Sequence, residues 1–316
     1  MIENKKISIV IPAYNEEGNI PLIYARLKDL LSSLPCAYEI VFVNDGSTDR
    51  TEEEIEKIEG QDKNVRAIEF SRNFGKECAT SAGVRAASGD ACILIDADLQ
   101  HPVEIIPEFL KKWENGAEVV VGVRTNNSAE SIIKKVGSSL FYKIMNRISG
   151  VPFIPRSTDF RLLDRSVIDA YNNFTERERM TRILIAWLGF KRDFVYFTAS
   201  ERASGKASYS FLKLVKLAMS TFVGHSLLPL KLAGYLGIFI TFISGITGIF
   251  IVIEKYILND PWGLNFSGPA MLAIFNLFLI GIVLSCLGLV AMYVAQIHKE
   301  VLNRPLYVVR KKNKDV

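Results

Sequence analysis

At 316 residues the chain has room for one large domain or two ordinary ones, and 49% of it is hydrophobic. A net charge of +4 supplies no general attraction to nucleic acid. Four scattered cysteines (Cys36, Cys78, Cys92 and Cys286) without a C-x-x-C spacing argue against structural zinc and fit a reducing compartment. Charged and apolar residues mix up to about Ser210, and apolar residues then dominate to about Gln296. The first strand starts within a few residues of Met1, so no cleavable signal peptide is expected. His101, His225 and His298 lie far apart, and their spacing suggests no metal cluster.

In chain order, Ile7-Ser8-Ile9-Val10-Ile11-Pro12 predicts a buried strand ending in Pro12-Ala13-Tyr14-Asn15-Glu16-Glu17. Ile20, Ile23, Leu27, Leu30 and Leu31 follow at helical spacing. Tyr38 to Val43 predicts a second strand ending in Asn44-Asp45-Gly46-Ser47-Thr48-Asp49, where Asp49 with Glu52 marks a helix start. A third strand, Val65 to Phe70, leads into Ser71-Arg72-Asn73-Phe74-Gly75-Lys76 and a small-residue helix over Ala79 to Ala87. Ala91 to Ile95 predicts a fourth strand, a helix follows Pro102, and Glu118 to Val123 predicts a fifth strand. This alternation predicts an α/β domain with a largely parallel sheet and right-handed crossovers. The polar clusters after the first four strands would then line one edge, where open α/β sheets bind ligands.

The cluster Asp96-Ala97-Asp98-Leu99-Gln100 carries the most chemistry. In an extended backbone residues i and i+2 point the same way, so Asp96 and Asp98 would present two carboxylates to one spot. With the Gln100 oxygen they make a hard donor set, suited to Mg²⁺ or Mn²⁺ and a bound diphosphate. A bare D-x-D is also an ordinary polar turn, and Asp45-Gly46-Ser47 is built of turn formers. No G-x-G-x-x-G follows the first strand and no Walker-type loop occurs, which weighs against NAD and P-loop chemistry. Tyr14 can stack on a base, and Glu16 and Asp45 can accept hydrogen bonds from a base or ribose.

Together, I-V-I-P-A-Y-N-E-E, V-N-D-G-S-T-D, F-S-R-N-F-G-K-E and D-A-D-L-Q-H-P resemble glycosyltransferase family 2, and more narrowly its polyprenyl-phosphate (dolichyl-phosphate-type) members. The resemblance covers about the first 210 residues. It implies a Rossmann-like GT-A fold, a nucleotide-sugar donor, a divalent metal (Mg²⁺ or Mn²⁺), and inversion at the sugar carbon. At matching positions it implies nucleotide contacts from Pro12, Ala13, Tyr14, Glu16, Asp45 and the Asp96-Ala97-Asp98 segment, with Lys76 as the basic residue of R-N-F-G-K. It implies metal ligation by Asp96, Asp98 and Gln100. Ser157-Thr158-Asp159-Phe160-Arg161-Leu162-Leu163-Asp164 matches a second acidic segment near the acceptor and gives Asp159 a catalytic role; alone, Asp159 reads as a helix cap or a partner of Arg161. Arg202-Ala203-Ser204-Gly205-Lys206 resembles the basic loop that closes over the diphosphate, assigning Arg202 and Lys206 to it. Many relatives carry Lys three residues after the Gly, where this chain has Ser208.

Phe211, Leu214, Val215, Ala218 and Phe222 against Lys213 and Lys216 predict an amphipathic helix at a membrane surface, within 210–230. No charged residue interrupts Leu232 to Ile253 or Pro261 to Ile297. Two transmembrane helices are expected, at about 232–257 and 270–296, since a hydrocarbon core is about 30 Å thick. The loop Asn259 to Asn265 lacks Lys and Arg, whereas Lys213, Lys216 and Lys231 precede the spans and Arg304, Arg310, Lys311, Lys312 and Lys314 follow them. The positive-inside bias puts the catalytic domain (1–209), both termini and a basic tail (299–316) in the cytoplasm; a bacterial inner membrane is the expected location. Gly234, Gly237, Gly245 and Gly248 would permit close helix contact and a homo-oligomer.

The expected reaction moves a hexose, glucose from UDP-glucose by preference, onto polyprenyl phosphate. GDP-mannose as donor and a non-catalytic membrane scaffold are the alternatives. A processive synthase is disfavoured, because no Arg-Trp pair exists: Trp113, Trp187 and Trp262 follow Lys, Ala and Pro.

Overall fold

Runs of buried β-branched residues set the middle of the sheet. β1 (Lys6–Ala13) and β2 (Ala37–Asn44) pair in parallel from Lys6↔Ala37 to Ala13↔Asn44. The structure is a computed structural model and describes residues 2–125, 154, 156–177, 179–198, 246, 249, 253 and 268–310. Outside these lie Arg202, Lys206, the amphipathic segment at 210–230, all but three positions of the first expected span, and the tail beyond Arg310.

β3 (Val65–Glu69), β4 (Ala91–Leu94), β5 (Val119–Arg124), β6 (Ser157–Asp164) and β7 (Arg192–Phe197) complete a seven-stranded sheet among the described residues, in the order β3-β2-β1-β4-β6-β5-β7. Alternate strand residues serve opposite faces. Ile7, Ile9, Ile11, Ile40 and Phe42 meet α1 (Ile20–Ser32), α2 (Thr51–Gln61) and α4 (Ile106–Glu114) on one side. Val10, Val41, Val43 and Leu94 meet α3 (Lys76–Ala86), α5 (Arg165–Asn172) and α6 (Thr181–Trp187) on the other. Each such fully buried aliphatic side chain contributes roughly 1.5–3 kcal/mol.

The sheet is largely parallel, as expected, with one exception: β6 runs antiparallel to both β4 and β5, with Leu94 opposite Arg161 and Val123 opposite Ser157. Asp159 thus sits in a strand and caps no helix. α2 starts at Thr51, where the Asp49 carboxylate accepts from the Thr51 amide (3.0 Å) and hydroxyl (2.5 Å). α3 begins three residues earlier than expected, at Lys76. Its small residues Ala79, Ala82 and Gly83 let it lie against β1; a Cβ at Gly83 would run into the Val10 side chain.

The chain divides into two compact units, Met1–Ala207 with Arg304–Val316, and Ser208–Asn303. The second contains α7 (Gly268–Val301), 34 residues of continuous helix over the stretch where a second hydrophobic helix is expected. Counting only positions with described side chains, no helix is long and apolar enough to cross a membrane.

At the N-terminal ends of the strands, buried Glu39 joins three segments. Its carboxylate accepts from the Ser8 hydroxyl (2.5 Å), the Ser88 amide (2.7 Å) and Lys6 Nζ (3.0 Å). Burial works against its charge, yet these hydrogen bonds outweigh it and lower the carboxyl from 4.5 to about 2. A carboxyl held below its unfolded value adds stability above that value and loses it as pH falls through the folded one. Glu39→Gln should therefore cost on the order of 3 kcal/mol at pH 7. The gap from wild type should close as pH drops from about 4.5 towards 2. Denaturant titrations at pH 7 and pH 3 check this, and an equal gap at both would contradict it.

Candidate active site

Every expected site residue among the described positions lies at or just beyond the edge formed by the C-terminal ends of the parallel strands. After β1, the chain turns at Asn15 (φ 56°), whose side chain accepts from the Thr48 amide at 2.8 Å. Pro12 lines the cleft described below, Ala13 is buried, and Tyr14 is 44% exposed, leaving ring surface for stacking. The Glu16 amide donates to Thr51 Oγ1 (2.8 Å) and its carboxylate accepts from Asn19 (2.6 Å); burial raises that carboxyl, the Asn19 bond opposing. After β2, Asp45 points inward. Its two oxygens accept from the Phe74 amide (2.7 Å) and the Gly75 amide (2.9 Å). Burial raises its carboxyl, partly offset by those amides. Asp45 thus fixes loop 71–75, and Gly46 (φ +64°) permits this because a Cβ there would strike the Arg72 backbone.

The reversed direction of β6 matters most. Running antiparallel to β4, it begins where β4 ends, which brings Asp159 to Asp96. Lys76, the first residue of α3, bridges them: its ammonium is 2.6 Å from Asp96 Oδ1 and 3.0 Å from Asp159 Oδ2. The other Asp159 oxygen accepts from Arg182 Nη2 (2.7 Å) and Nε (3.1 Å). Partial burial works against the Lys76 charge, but the two carboxylates outweigh it and hold the ammonium above its ordinary range. For Asp159, burial is likewise outweighed by Lys76, Arg182 and Arg161, and its carboxyl sits well below the usual carboxylate range. Arg161, read as a partner of Asp159, instead donates to the Thr158 carbonyl (3.2 and 3.0 Å), and its full burial lowers the guanidinium to about 10. A cleft lined by Pro12, Lys76, Thr80, Asp96, Asp159 and Thr181 opens beside this network.

Asp96 and Asp98, with buried Ala97 between them, stand together as their spacing implies. The third group beside them is His101; one ligand atom from each of the three lies within 4.8 Å of the others. This corrects the expectation that no histidine joins a cluster. The Gln100 oxygen is instead held by Arg124 Nη2 at 2.9 Å, which is available because β5 also ends at this edge. His101 is 2% exposed and packs on Phe160 and Phe197 at ring distances of 5.2 and 5.8 Å. Neither of its nitrogens has a hydrogen-bond partner among the described residues; Nδ1 is 3.9 Å from Asp96 Oδ2. Burial lowers the imidazole below its ordinary range, against the pull of Asp96 and Asp98. The two carboxylates suit Mg²⁺ or Mn²⁺, and a neutral imidazole with an orphaned nitrogen beside them favours Mn²⁺, which accepts a nitrogen donor more readily than Mg²⁺ does.

Sequence reasoning missed His101, Arg124 and Arg182. His101 lies three residues past Asp98, a spacing that one loop can fold back on itself. Nothing in Thr175-Glu176-Arg177-Glu178-Arg179-Met180-Thr181-Arg182 distinguishes Arg182 from its neighbours.

Residues 8–171 match the family described as glycosyl transferase family 2. An uncharacterized glycosyltransferase of Synechocystis is 38% identical over 304 residues, covering 96% of this chain and 94% of the relative. A bactoprenol glucosyl transferase of Shigella phage SfII is 36% identical over 309 residues, 98% and 99% of the two chains. A prophage bactoprenol glucosyl transferase homolog of Escherichia coli K12 is 34% identical over 98% and 100%. Among solved structures, glucosyl-3-phosphoglycerate synthase from Mycobacterium tuberculosis, in complex with Mn²⁺, UDP and glucosyl-3-phosphoglycerate, superposes with a TM-score of 0.49 at 16% identity. That match covers 69% of this chain and 78% of the other.

An imidazole kept buried without a partner costs stability, about 1–3 kcal/mol for an unsatisfied polar group. His101→Leu should therefore raise the thermal midpoint of the metal-free protein while weakening Mn²⁺ binding by about tenfold or more. Electron paramagnetic resonance titration of Mn²⁺ measures the second effect; unaltered affinity would remove His101 from the donor set.

Proposed function

The chain belongs to glycosyl transferase family 2, and on that footing we propose that it moves glucose from UDP-glucose onto a polyprenyl phosphate, releasing UDP. The observation that carries the reading is the grouping of Asp96, Asp98 and the orphaned His101 next to the Lys76–Asp159 bridge. Similarity to bactoprenol glucosyl transferases over nearly the whole length supports the choice of sugar and acceptor.

The GT-A-like domain would take the nucleotide along the edge from Tyr14 to Asp98. A divalent cation held by Asp96, Asp98 and His101 would supply Lewis acidity for the departing diphosphate. Lys76 adds a fixed positive charge at the same place, held on station by Asp96 and Asp159. A unit pair at 4 Å is worth roughly 4 kcal/mol at an effective dielectric of 20. The anomeric C–O bond breaks with its electron pair passing to the β-phosphate oxygen of UDP, while an acceptor phosphate oxygen bonds from the opposite face, inverting the centre. A phosphate monoester has its second pKa near about 6 and is already a dianion near neutral pH, so no base is required. Asp159 suits that scheme. Two cations occupy its oxygens and its carboxyl is held far too acidic to accept a proton near neutrality. Its role is to orient Lys76 and Arg182. Arg202 and Lys206 would close over the diphosphate from the basic loop.

The reading includes a membrane anchor. α7 exposes Leu272, Val283, Leu287, Val290, Val294 and Ile297. From Val283 onward the spacing of these residues is four, three, four and three, which places them on one helical stripe. At about 1.5 Å per residue its uncharged stretch is long enough for a hydrocarbon core of about 30 Å. Such an anchor, entered from the cytoplasm, brings a lipid acceptor to a cytosolic sugar nucleotide.

Two measurements test this. Incubating the full chain with labelled UDP-glucose, UDP-N-acetylglucosamine or GDP-mannose, a divalent cation and polyprenyl phosphate should give a labelled lipid from UDP-glucose; no labelled lipid from any donor would end the proposal. For Asp159→Asn, kcat should fall on the order of a hundredfold at every pH, with the acidic limb near pH 6 unmoved because the acceptor phosphate sets it. If that limb disappeared in the variant, Asp159 would be the base after all.

A further inference from the structure

The segment that follows α7 is built into the catalytic unit in a way that anchoring does not require. Tyr307 stacks on buried Phe70, with ring centres 4.7 Å apart and planes 12° apart. Val309 forms an antiparallel bridge with Phe70. Two backbone hydrogen bonds flank that bridge: the Ser71 amide donates to the Val308 carbonyl (2.9 Å), and the Arg310 amide donates to the Glu69 carbonyl (2.8 Å). The Arg310 guanidinium pairs with the buried Glu69 carboxylate and with Glu52 at 3.5 Å. Arg310, read from sequence as part of a basic cytoplasmic tail, thus has acidic partners on the catalytic unit.

What this segment grips is the start of loop 71–75, whose amides hold Asp45. Phe70 meets Phe74 edge-on at 5.7 Å, the Arg72 guanidinium lies 4.0 Å over the Phe74 ring, and the Phe74 and Gly75 amides hold the two Asp45 oxygens. Lys76 follows immediately as the first residue of α3. Stacking, strand pairing and ion pairing therefore converge on the base of a loop whose far end sets Asp45 and Lys76. We propose that residues 307–310 form a strap that positions this donor-side loop, with Tyr307 and Arg310 as positioning residues that touch no substrate. The effect on nucleotide affinity rests on the donor reading above; the hold on the loop does not.

The test uses the full chain in detergent and two readouts: amide hydrogen exchange across 70–75, and the Kd for UDP with Mn²⁺. Tyr307→Ala removes the stacked ring, and Arg310→Pro removes both the amide donor and the ion pair. Each should speed exchange of the Phe74 and Gly75 amides by about tenfold and weaken UDP binding by a similar factor, while β1 and β2 amides stay as protected as in wild type. Tyr307→Phe keeps the stacked ring and should match wild type in both readouts. Unchanged exchange at 71–75 in both variants overturns the strap, as does loosening spread evenly through β1 and β2. Faster exchange with unaltered UDP affinity overturns the positioning role. If the wild type binds no UDP, the donor reading fails, and the exchange comparison alone decides whether the loop is held.

Discussion

One ammonium group lies between two carboxylates from neighbouring, oppositely directed strands, and the site is arranged about it. Lys76 reaches both Asp96 and Asp159 because β6 starts where β4 stops. It arrives at the right height because α3, lined with Ala79, Ala82 and Gly83, lies close on β1. Arg182 completes an alternating chain of charges, plus–minus–plus–minus from Arg182 through Asp159 and Lys76 to Asp96. The members are only partly exposed, so removing one would leave its neighbours without their nearest counter-charge. Geometry, protonation and fold are thereby tied together: Asp159 stays ionised because of its partners, and the partners stay in place because Asp159 is ionised.

Acidic residues along this edge divide into two kinds. Asp45 and Asp159 are engaged by protein groups, the first by two amides and the second by two cations. Asp96 shares the Lys76 ammonium with Asp159 and, like Asp98, also stands beside His101, whose ring nitrogens have no hydrogen-bond partner among the described residues. The first kind holds loops and cations in position, and the second surrounds the candidate metal site. Sequence alone marks Asp96 and Asp98 as a pair by their spacing, but it leaves Asp45 among turn formers and Asp159 as a helix cap or a partner of Arg161.

That contrast explains how much could be read from sequence. The first four strands and their polar endings were legible, because Ile7 to Ile11 and Ile40 to Val43 are apolar runs too short for helices and are followed by turn formers. The D-x-D pair was legible because a period of two needs no tertiary knowledge. β6 was not: it carries Asp159, Arg161 and Asp164 within eight residues and buries Arg161 completely, so its pattern does not resemble a core strand. His101 and Arg124 were hidden for a related reason. Their positions depend on where Phe160, Phe197 and the end of β5 meet, and those contacts join segments far apart in sequence. Arg310's docking was hidden because its acidic partners Glu69 and Glu52 lie roughly 240 and 260 residues earlier in the chain, and no local pattern links them.

The placement of the strap has a consequence for biogenesis. β3 is an edge strand, and the partner for its final residues is encoded beyond the hydrophobic helix. During translation all seven strands leave the ribosome before that helix, and the strap leaves after it. The end of β3 therefore stays bare through most of synthesis, the condition in which a sheet edge recruits foreign strands. A chain interrupted before Arg304 would retain every acidic residue of the site and still carry an open edge, so the finished domain records that the greasy segment was made.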